Sequence, residues 1–580
     1  MSEVVGAKAQ VDAAMATAMV RVLPRDLAAG DPLVRRSDRA DFQSNAALGL
    51  AKKAGLAPQD LARSLLAALS NSDFEVEISG PGFLNITLAD ATLWSIVAAR
   101  LADARMGVAE SLDGARTLVD YSGPNIAKQL HVGHIRSTVI GDALVRVLMY
   151  LGADVTRVNH LGDWGTSFGK LIQYLTEHAE PDVLESVDLD TLDELYKAAQ
   201  AQFTTDPEFA DRARACVVAL QSGDEAALAA WRKLVEVSTA AFEQLYQRLG
   251  VLLTSEDVAS ESFYNPWLDE IVAELDAKGL LTESDGAQCV FLDGFENAEG
   301  QPFPLIVRKS DGGYGYAATD LAAIRYRVTE LKVTRILYVI DARQALHLRM
   351  VFETARKAGW LPAGVEAVHV PFGTILGTDG RPFRSRSGET PRLKELLDAA
   401  VAGARTVVEE KSAELPPEEF EHVVQAAGIG AVKYADLSNA RVKDYVFDPE
   451  RMVSLTGNTS VYLQYAHART CSVLGKLSTP RNAATVDPSV PIHRAERALI
   501  LALDDFGAVL ADVAETLEPH RLCTYLFELA KTFSDFWQHC PVIKADDAAR
   551  RGNRAALVRL TGRTLAQGLD LLGIEAPRRL

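Results

Sequence analysis

The sequence predicts an α/β protein in which a parallel sheet carries a helical insertion, with a small α+β domain before it and an all-helical region after it. Two buried strands on either side of an amphipathic helix, within residues 117–162, indicate the sheet. Residues 175–285, and almost everything after residue 420, have helical apolar spacing instead. A chain of 580 residues is also too long for one hydrophobic core, so roughly two to four domains are expected.

The composition is that of an ordinary soluble protein, with 48% hydrophobic and 24% charged residues. No apolar run approaches the roughly 18 residues that span a bilayer, and the first residues lack a basic segment followed by an apolar core. We therefore expect a cytoplasmic protein without membrane contact. Five cysteines are scattered without a CxxC pair, which predicts neither a disulfide framework nor a zinc ribbon but small, buried apolar side chains.

The charge is unevenly distributed along the chain. A net charge of −18 argues against broad, nonspecific binding to nucleic acid. Residues 456–580 nevertheless carry 15 Lys and Arg against 13 Asp and Glu, whereas the rest of the chain carries 45 against 65. A local surface for phosphates is therefore more plausible in the C-terminal part than elsewhere.

The elements follow in order from the apolar spacing. Residues 1–90 mix helices with strands, since FEVEISGPGFLNITL alternates in polarity around a Gly-Pro-Gly turn. A buried strand then runs from Thr117 to Tyr121, and a helix from Val132 to Leu151 ends at Gly152. A second strand, DVTRVNHLG, follows directly. Strand, helix and strand in about 45 residues form a parallel unit, the start of a Rossmann-like nucleotide-binding sheet.

The remaining segments complete the predicted domain organisation. Residues 175–285 are acidic and helical and resemble an insertion, after which PLIVRKSDGGYGYAATDLAAIRYR and TRILYVIDARQALHLRMVFETARKAG each predict a sheet strand that leads into a helix. The last part of the chain is almost entirely helical. We predict domains at residues 1–90, 91–440 (with the insertion at about 175–285) and 441–580.

The segment NIAKQLHVGHIR places His131 and His134 three residues apart where a strand gives way to a helix. A metal site is disfavoured because a catalytic zinc usually takes three protein ligands, and no further ligand accompanies the pair. A buried core helix is the simpler alternative. The position favours a nucleotide, because ligands of open α/β sheets bind beyond the carboxyl ends of strands, where a helix N-terminus attracts anions. Gly133 leaves the backbone open to a flat ring.

Longer segments identify a family. SGPNIAKQLHVGHIRSTVIGDAL closely resembles the signature of class I aminoacyl-tRNA synthetases in the form of the arginyl-tRNA synthetases. HLGDWGTSFG, RSRSGETPRLKELLDAA, DYVFDPERM and GNTSVYLQYAHAR resemble later segments of that family, in the same order. The resemblance implies that residues 91–440 activate L-arginine with ATP and Mg²⁺ as arginyl-adenylate and transfer it to tRNA(Arg), releasing AMP and pyrophosphate. It also implies that residues 441–580 bind the anticodon and that residues 1–90 contact tRNA.

The resemblance assigns the ATP side of the site. His131 and His134 would bind ATP with Gly133 and stabilise charge on the α-phosphate, as preplaced donors do. The family's usual KMSKS loop corresponds to GRPFRSRSGE, which has no lysine, and Lys128 matches the lysine thought to replace it. Arg384 and Arg386 are alternative phosphate ligands. Without the family, Lys128 would be interpreted as a solvated loop charge.

The resemblance also implies an arginine pocket. A guanidinium has five N–H donors and no acceptor, so its pocket must supply several acceptors, at least one of them charged. Asp120, Asp320 and the Tyr316 hydroxyl would receive the side chain, and Asn125 and Gln344 the α-amino and carboxylate end. Asp120 stands where relatives carry glutamate. As isolated residues, Asp320 would be interpreted as a helix cap and Tyr316 as a half-buried aromatic.

Such a pocket removes the need for proofreading. A site built to hydrogen-bond its substrate can reject analogues that lack those groups by about 10⁴ to 10⁵. We therefore interpret the insertion as structural, and we expect no metal ion bound by the protein itself.

The helical end offers candidates for RNA contact. Tyr462, Gln464, Arg469 and Arg551 are candidates, because arginines and aromatics read splayed bases in single-stranded loops. Packing residues and a solvated basic helix face are the alternatives. tRNA(Arg) and L-arginine are the expected partners of a monomer. Rival functions are a class I enzyme with another substrate, a catalytically silent RNA-binding relative, and an oxidoreductase, which would need a GxGxxG turn after its first strand.

Overall fold

The computed structural model describes residues 5–69, 73–178, 188–297, 299–383, 391–412, 414–477 and 486–580. It confirms the α/β class, with a small α+β unit, a parallel central sheet and a helical C-terminal region. No helix of these described ranges combines the length and the apolar character needed to cross a membrane.

The N-terminal unit is a four-stranded antiparallel sheet covered by helices. The strand order is β1-β2-β4-β3, and Gly80–Gly82 turn the predicted hairpin between β3 and β4. Its elements are α1 (Ala7–Val22), α2 (Arg25–Ala28), β1 (Val34–Arg36), β2 (Phe42–Ser44), α3 (Ala46–Ala54), α4 (Pro58–Ala68), β3 (Phe74–Ser79), β4 (Phe83–Leu88) and α5 (Asp90–Ala102).

The central sheet is parallel and has the order β11-β10-β5-β6. The predicted strand–helix–strand unit is present, since β5 pairs with β6 and α6 connects them. Its elements are β5 (Arg116–Asp120), α6 (Val132–Tyr150), β6 (Asp154–Val158), β10 (Arg335–Tyr338), α13 (Ala345–Lys357) and β11 (Glu366–His369). Both β5 and β10 are buried, as expected for strands covered on two faces.

A three-stranded antiparallel sheet lies beside the central one, and it corrects one sequence prediction. We predicted that the strand PLIVR resumes the parallel sheet, but it belongs to β9, which pairs antiparallel with β8. Short apolar runs predict a strand without specifying its partner, which explains the error. This sheet consists of β7 (Thr282–Ser284), β8 (Ala287–Glu296) and β9 (Pro302–Arg308), and α12 (Tyr316–Thr329) follows it.

The insertion is helical, as predicted, and its last long helix packs on the loop that follows β5. Ser238 and Tyr246 of that helix, α10, reach this loop. The elements are α7 (Thr166–His178), α8 (Leu189–Thr205), α9 (Pro207–Gln221), α10 (Glu225–Leu249), the 3₁₀ helices Ser255–Asp257 and Glu261–Trp267, and α11 (Leu268–Ala277).

The C-terminal region is almost entirely helical, and a short parallel pair, β12 (Ile375–Leu376) with β13 (Tyr445–Val446), connects it to the core. Its helices are α14 (Leu393–Ser412), α15 (Pro417–Leu437), α16 (Pro449–Met452), α17 (Ser460–Gly475), α18 (Arg494–Asp504), α19 (Phe506–Thr516), α20 (His520–His539) and α21 (Ala548–Leu571).

The first and last parts of the chain contact each other through buried polar groups. Arg100 of α5 donates to the Asp504 carboxylate at 2.6 Å, and both side chains are almost fully buried. Asp504 also accepts the backbone N–H of Ala7 at 2.8 Å. The Trp94 indole N–H donates to the Val490 carbonyl at 2.8 Å. A buried, hydrogen-bonded ion pair fixes the relative position of its two elements, because breaking it leaves an unpaired charge.

The cysteines are only partly as predicted. Cys289, Cys523 and Cys540 are buried, whereas Cys216 and Cys471 are partly exposed. The prediction of buried apolar side chains is therefore wrong for these two thiols.

Candidate active site

The loop between β5 and α6 has a constrained backbone. Ser122 and Ala127 have positive φ angles of 72° and 59°, a conformation that is costly for residues other than glycine. The insertion holds both ends of this loop: the Ser238 hydroxyl accepts the Ala127 N–H at 3.0 Å, and the Tyr246 hydroxyl lies 2.8 Å from the Ser122 hydroxyl. The predicted structural role of the insertion thus includes support of the site itself.

His131 and His134 form a reciprocal cap at the N-terminus of α6. The Gly133 N–H donates to His131 Nδ1 at 3.0 Å, and the His131 N–H donates to His134 Nδ1 at 3.1 Å. Because each Nδ1 accepts, the proton of each neutral imidazole is on Nε2. The ring centroids are 3.9 Å apart, so the pair presents two N–H donors at one place.

Both imidazoles are uncharged at neutral pH. Burial, followed by the charge of His131, lowers the pKa of His134 to about 3. Burial and the nearby charges of Lys128 and Arg343 lower the pKa of His131 as well. The site therefore offers neutral donors, whose protonation does not change across the physiological pH range.

Gly133 is required by close packing. A Cβ at Gly133 would lie 2.8 Å from Cε1 of the His131 ring. Any side chain would displace that ring, so the glycine preserves the orientation of the His131 donor.

Lys128 lies against the insertion. Its Nζ is 4.5 Å from the centroid of the Tyr196 ring, a cation–π distance, and the Tyr196 hydroxyl lies 3.2 Å from the Ser167 hydroxyl. Asp190, at the start of the same helix α8, accepts from Gln129 at 2.7 Å and pairs with Arg392 at 2.6 Å. Helix α8 therefore positions the residues that flank the histidines.

An acid cluster forms around Glu261 and Asp320. Burial, followed by the charges of Asp163 and Asp320, raises the pKa of Glu261 to about 8, and the Trp164 N–H donates to this carboxyl group. Asp163 is buried and accepts from the Ser262 N–H at 2.9 Å. Asp320 accepts from His347 Nε2 at 2.6 Å. Asp163 and Asp320 are therefore both close enough to Glu261 for their charges to favour its protonated form.

Asp120 has an internal partner. Its Oδ2 is 2.7 Å from Nη2 of Arg327, and both side chains are nearly fully buried. The guanidinium of Arg327 also lies 5.2 Å from the Tyr338 ring. Burial raises the pKa of Tyr338, and the charges of Asp120 and Asp320 add to the effect, so both acids lie near this hydroxyl. The assignment of Asp120 to a substrate guanidinium stays a prediction, and in this structure an enzyme arginine holds one of its oxygens.

The other predicted pocket residues lie at the same edge of the sheet. Tyr316 is the first residue of α12 and is 73% exposed, so it is neither buried nor half-buried. Asp320 follows one turn later, and because Gly315 is the N-cap, Asp320 is not the cap. Asn125 is exposed in the loop after β5, with its backbone paired to Gly162. Gln344 is exposed at the end of the 3₁₀ helix Ala342–Gln344.

Several residues of the site were not predicted from the sequence. Glu261, His347 and Tyr196 were missed because they lie in segments predicted as structural. The only available sequence signal for His347 was its place one turn beyond Gln344. Arg384 and Arg386 lie outside the described residues. Within the described residues, no group of three or more His, Cys, Asp or Glu is arranged to hold a metal ion.

The candidate RNA-contacting residues lie in different environments. Tyr462 is half-buried against Phe527, and Arg469 stacks 5.0 Å from the centroid of the Tyr465 ring. Gln464 has no exposed surface and donates to two backbone carbonyls, so RNA contact there would require this packing to open. Arg551 is exposed and donates to the Ala545 carbonyl at 2.8 Å.

Comparison with known proteins places this geometry in a family. The class I (R) tRNA synthetase catalytic domain matches residues 96–449, the DALR anticodon binding domain residues 463–580, and the arginyl tRNA synthetase N-terminal domain residues 7–88. Arginine–tRNA ligases of Frankia casuarinae and Streptomyces avermitilis are 57% and 49% identical, over 98% and 100% of both chains.

Solved structures agree with the sequence relatives. The crystal structure of the arginyl-tRNA synthetase of Plasmodium falciparum superposes with a TM-score of 0.81 at 27% identity, over 98% of both chains. The arginyl-tRNA synthetase of Thermus thermophilus superposes with a TM-score of 0.78 at 25% identity, over 98% of this chain and 99% of the other. With its paired histidines beside an acid cluster at one edge of a parallel sheet, the chain belongs to the arginyl-tRNA synthetase family of class I.

Proposed function

We propose that this chain joins L-arginine to ATP as arginyl-adenylate and transfers the arginyl group to tRNA(Arg), releasing AMP and pyrophosphate. The observation that carries the proposal is the proximity of two kinds of site at the same edge of the sheet. Two neutral imidazole donors cap α6, and the acid cluster lies at the start of α12. Tyr196 connects them, since its ring contacts Lys128 and it is close enough to Tyr316, as Glu261 is, to affect the pKa of Tyr316.

Adenylate formation needs little covalent chemistry from the protein. An oxygen of the arginine carboxylate attacks the α-phosphorus of ATP, a new O–P bond forms, and the bond to the bridging oxygen breaks so that pyrophosphate leaves. The Nε2–H groups of His131 and His134 donate to the α-phosphate oxygens as charge develops on them. Lys128 supplies positive charge for the phosphates, a role that Arg384 and Arg386 share in this proposal.

ATP brings Mg²⁺ with it in this proposal. Mg²⁺ is expected to bind mainly through the phosphates of ATP and through water. The ion would neutralise charge on the phosphates, and the protein's own part is to orient them.

The acid cluster selects the side chain of arginine. Asp320 and Glu261 lie in one partly buried cluster, and Tyr316 is close enough to Glu261 for its pKa to be affected. We propose that the guanidinium binds between these groups, with Asp120 and its partner Arg327 forming the adjoining wall. Asn125 and Gln344 then hold the α-amino and carboxylate end. A neutral side chain would leave these acids unpaired, which gives the selectivity.

The tRNA is proposed to extend along the C-terminal helices. Tyr462, Gln464, Arg469 and Arg551 are the proposed contacts, with a direct role for Gln464 depending on local opening. Domain boundaries near residues 90 and 440, a monomeric state and a cytoplasmic location, where arginine, ATP and tRNA are available together, complete the proposal.

The decisive experiment is arginine-dependent exchange between pyrophosphate and ATP, with and without tRNA. Arginine, lysine and citrulline are compared as substrates, because citrulline has the shape of arginine without its charge. Of the three substrates, we expect only arginine to support exchange. We expect the rate of exchange with arginine to fall strongly in Lys128→Ala. A preference for citrulline would overturn the pocket assignment, an unchanged rate in Lys128→Ala would overturn the lysine assignment, and no AMP from arginine, ATP and tRNA together would overturn the activity.

A further inference from the structure

A Cys–His pair lies far from the active site, at a cavity between α14, α17 and the C-terminal tail. The cavity has a volume of about 900 Å³ and includes Cys471, Arg469, Arg578 and the terminal residue Leu580 in its wall. Cys471 is partly exposed, and its Sγ lies 3.6 Å from Nε2 of His467, one helical turn earlier. A nucleophile and a base thus meet at an accessible surface.

The tail fixes the tautomer of His467. Its Nδ1 is 3.0 Å from the Pro577 carbonyl oxygen, which can only accept a hydrogen bond. Nδ1 therefore carries the proton, and Nε2 is left as an acceptor directed at the thiol. This arrangement, a base oriented by a third group, is the one that activates a thiol for attack.

The surroundings favour the thiolate. Burial raises the pKa of the Cys471 thiol, but the hydrogen bond and charge of His467 and the charge of Arg578 outweigh it, so that the pKa lies below its usual value. The hydrogen bond and charge of Cys471, together with the hydrogen bond to the Pro577 carbonyl, raise the pKa of His467 against the opposing effects of burial and of the Arg578 charge. The charged side chains that line this cavity are Glu410, Lys411, Glu414, Glu419, Arg469, Arg578 and Arg579.

A second Cys–His contact in the chain lacks these features. The Cys540 Sγ is 3.4 Å from Nδ1 of His493, but that nitrogen already accepts the Ala495 N–H. Cys540 has no exposed surface, and burial, followed by the charge of Glu496, raises its pKa to about 11. Proximity to an imidazole is therefore not sufficient. Exposure and a free, oriented nitrogen distinguish Cys471.

We propose that Cys471 is a modification site, the reactive thiol of this chain, which undergoes exchange with low-molecular-weight disulfides. Nε2 of His467 takes the thiol proton, and the Cys471 sulfur attacks one sulfur of the disulfide. A new S–S bond forms to Cys471, the original S–S bond breaks, and the leaving thiolate takes up the proton from His467. No other oxidant is required, because the incoming disulfide is itself reduced.

The test uses the full chain, hydroxyethyl disulfide as the probe, and peptide mapping by mass spectrometry to measure the adduct at each cysteine. Cys216 is the internal control, since it is also partly exposed but burial raises its pKa. We expect Cys471 to react about tenfold faster than Cys216 at neutral pH, and its rate to rise at lower pH than that of Cys216. Equal or faster reaction of Cys216 would overturn the proposal.

Two arginines of the tail give a matched pair of variants. Both Arg578 and Arg579 are exposed, but Arg579 pairs with Glu419 at 3.0 Å, whereas the Arg578 charge acts on Cys471. We expect Arg578→Gln to slow the reaction of Cys471 severalfold and Arg579→Gln to leave it nearly unchanged. His467→Gln should slow it further. If His467→Gln does not fold, the two arginine variants still test the proposal. Equal rates of Cys471 modification in Arg578→Gln and Arg579→Gln would contradict a thiolate stabilised by Arg578.

Discussion

The two sides of the active site are built differently. On the proposed ATP side, two uncharged imidazoles are oriented by backbone N–H groups within four residues of sequence. On the proposed arginine side, Asp163, Glu261 and Asp320 come from three distant segments, and the charges of the two aspartates add to burial in raising the pKa of Glu261. Local hydrogen bonds thus orient neutral donors, whereas tertiary packing of like charges gives a carboxyl group that holds its proton until a cation binds.

The largest effect is expected at the histidine pair. In His131→Asn, the asparagine can still cap α6, because asparagine is a preferred N-cap residue, but the Nε2–H donor is lost. We expect arginine-dependent pyrophosphate exchange to slow by about 10² to 10³, with an unchanged melting temperature. A rate within tenfold of the parent protein would show that the ring serves only as a helix cap.

Loss of charge at Asp320 should act on arginine binding. Asp320→Asn leaves the shape of the pocket but removes its charge, so we expect the KM for arginine to rise by about 10² to 10³ while that for ATP stays the same. The control is Glu330→Gln, which removes one charge from the exposed C-terminal end of the same helix. Comparable KM values in the two variants would contradict a role of Asp320 in the pocket.

The pH dependence should separate the two sides. Glu261 holds its proton at neutral pH because its pKa is raised to about 8, and a bound guanidinium favours the ionised form. Arginine binding then releases a proton, so affinity should increase as pH rises from about 6 to 8, by at most about tenfold per unit. Calorimetry in buffers of different ionisation enthalpy measures this release.

The variants of this experiment identify the group. Glu261→Gln should flatten the pH dependence. His347 titrates in the same direction, because Asp320 raises its pKa against the effect of burial, and His347→Gln removes that separate contribution. The affinity for MgATP should change much less over this range, since the pKa of both imidazoles of the pair is lowered by burial. If the affinity for ATP depended on pH as strongly as that for arginine, and still did so in Glu261→Gln, the two sides of the site would not differ in the proposed way.

The smallest effect is expected at Tyr196. Tyr196→Leu removes the ring beneath Lys128, and a cation–π contact at such a site is worth about 0.5 to 1 kcal/mol, so we expect a two- to fivefold loss in kcat/KM for ATP. Tyr196→Phe keeps the ring and should behave like the parent protein. Equal losses in both variants would implicate the hydroxyl and its contact with Ser167 instead.

The same contrast explains how far the sequence could predict the structure. Helix α6 and strand β5 follow from local spacing and were predicted to within one residue, whereas β6 begins where predicted but ends at Val158, before the predicted NHLG. The strand β9 was assigned to the wrong sheet, because a strand's partner depends on the whole fold. The partner of Asp120, Arg327, and the place of Glu261 between two other acids depend on tertiary contacts that no sequence spacing encodes.

The burial of Arg100 against Asp504 has a consequence for biosynthesis. These residues are 404 positions apart, and at the usual 5 to 20 residues per second a ribosome needs roughly 20 to 80 seconds to travel between them. During that time the nascent chain exposes the Arg100 guanidinium and the Trp94 indole, both of which are buried against the C-terminal region in the folded protein. The N-terminal unit therefore lacks its partner until Asp504 has been synthesised, and products truncated before that residue should be targets for chaperones and proteases.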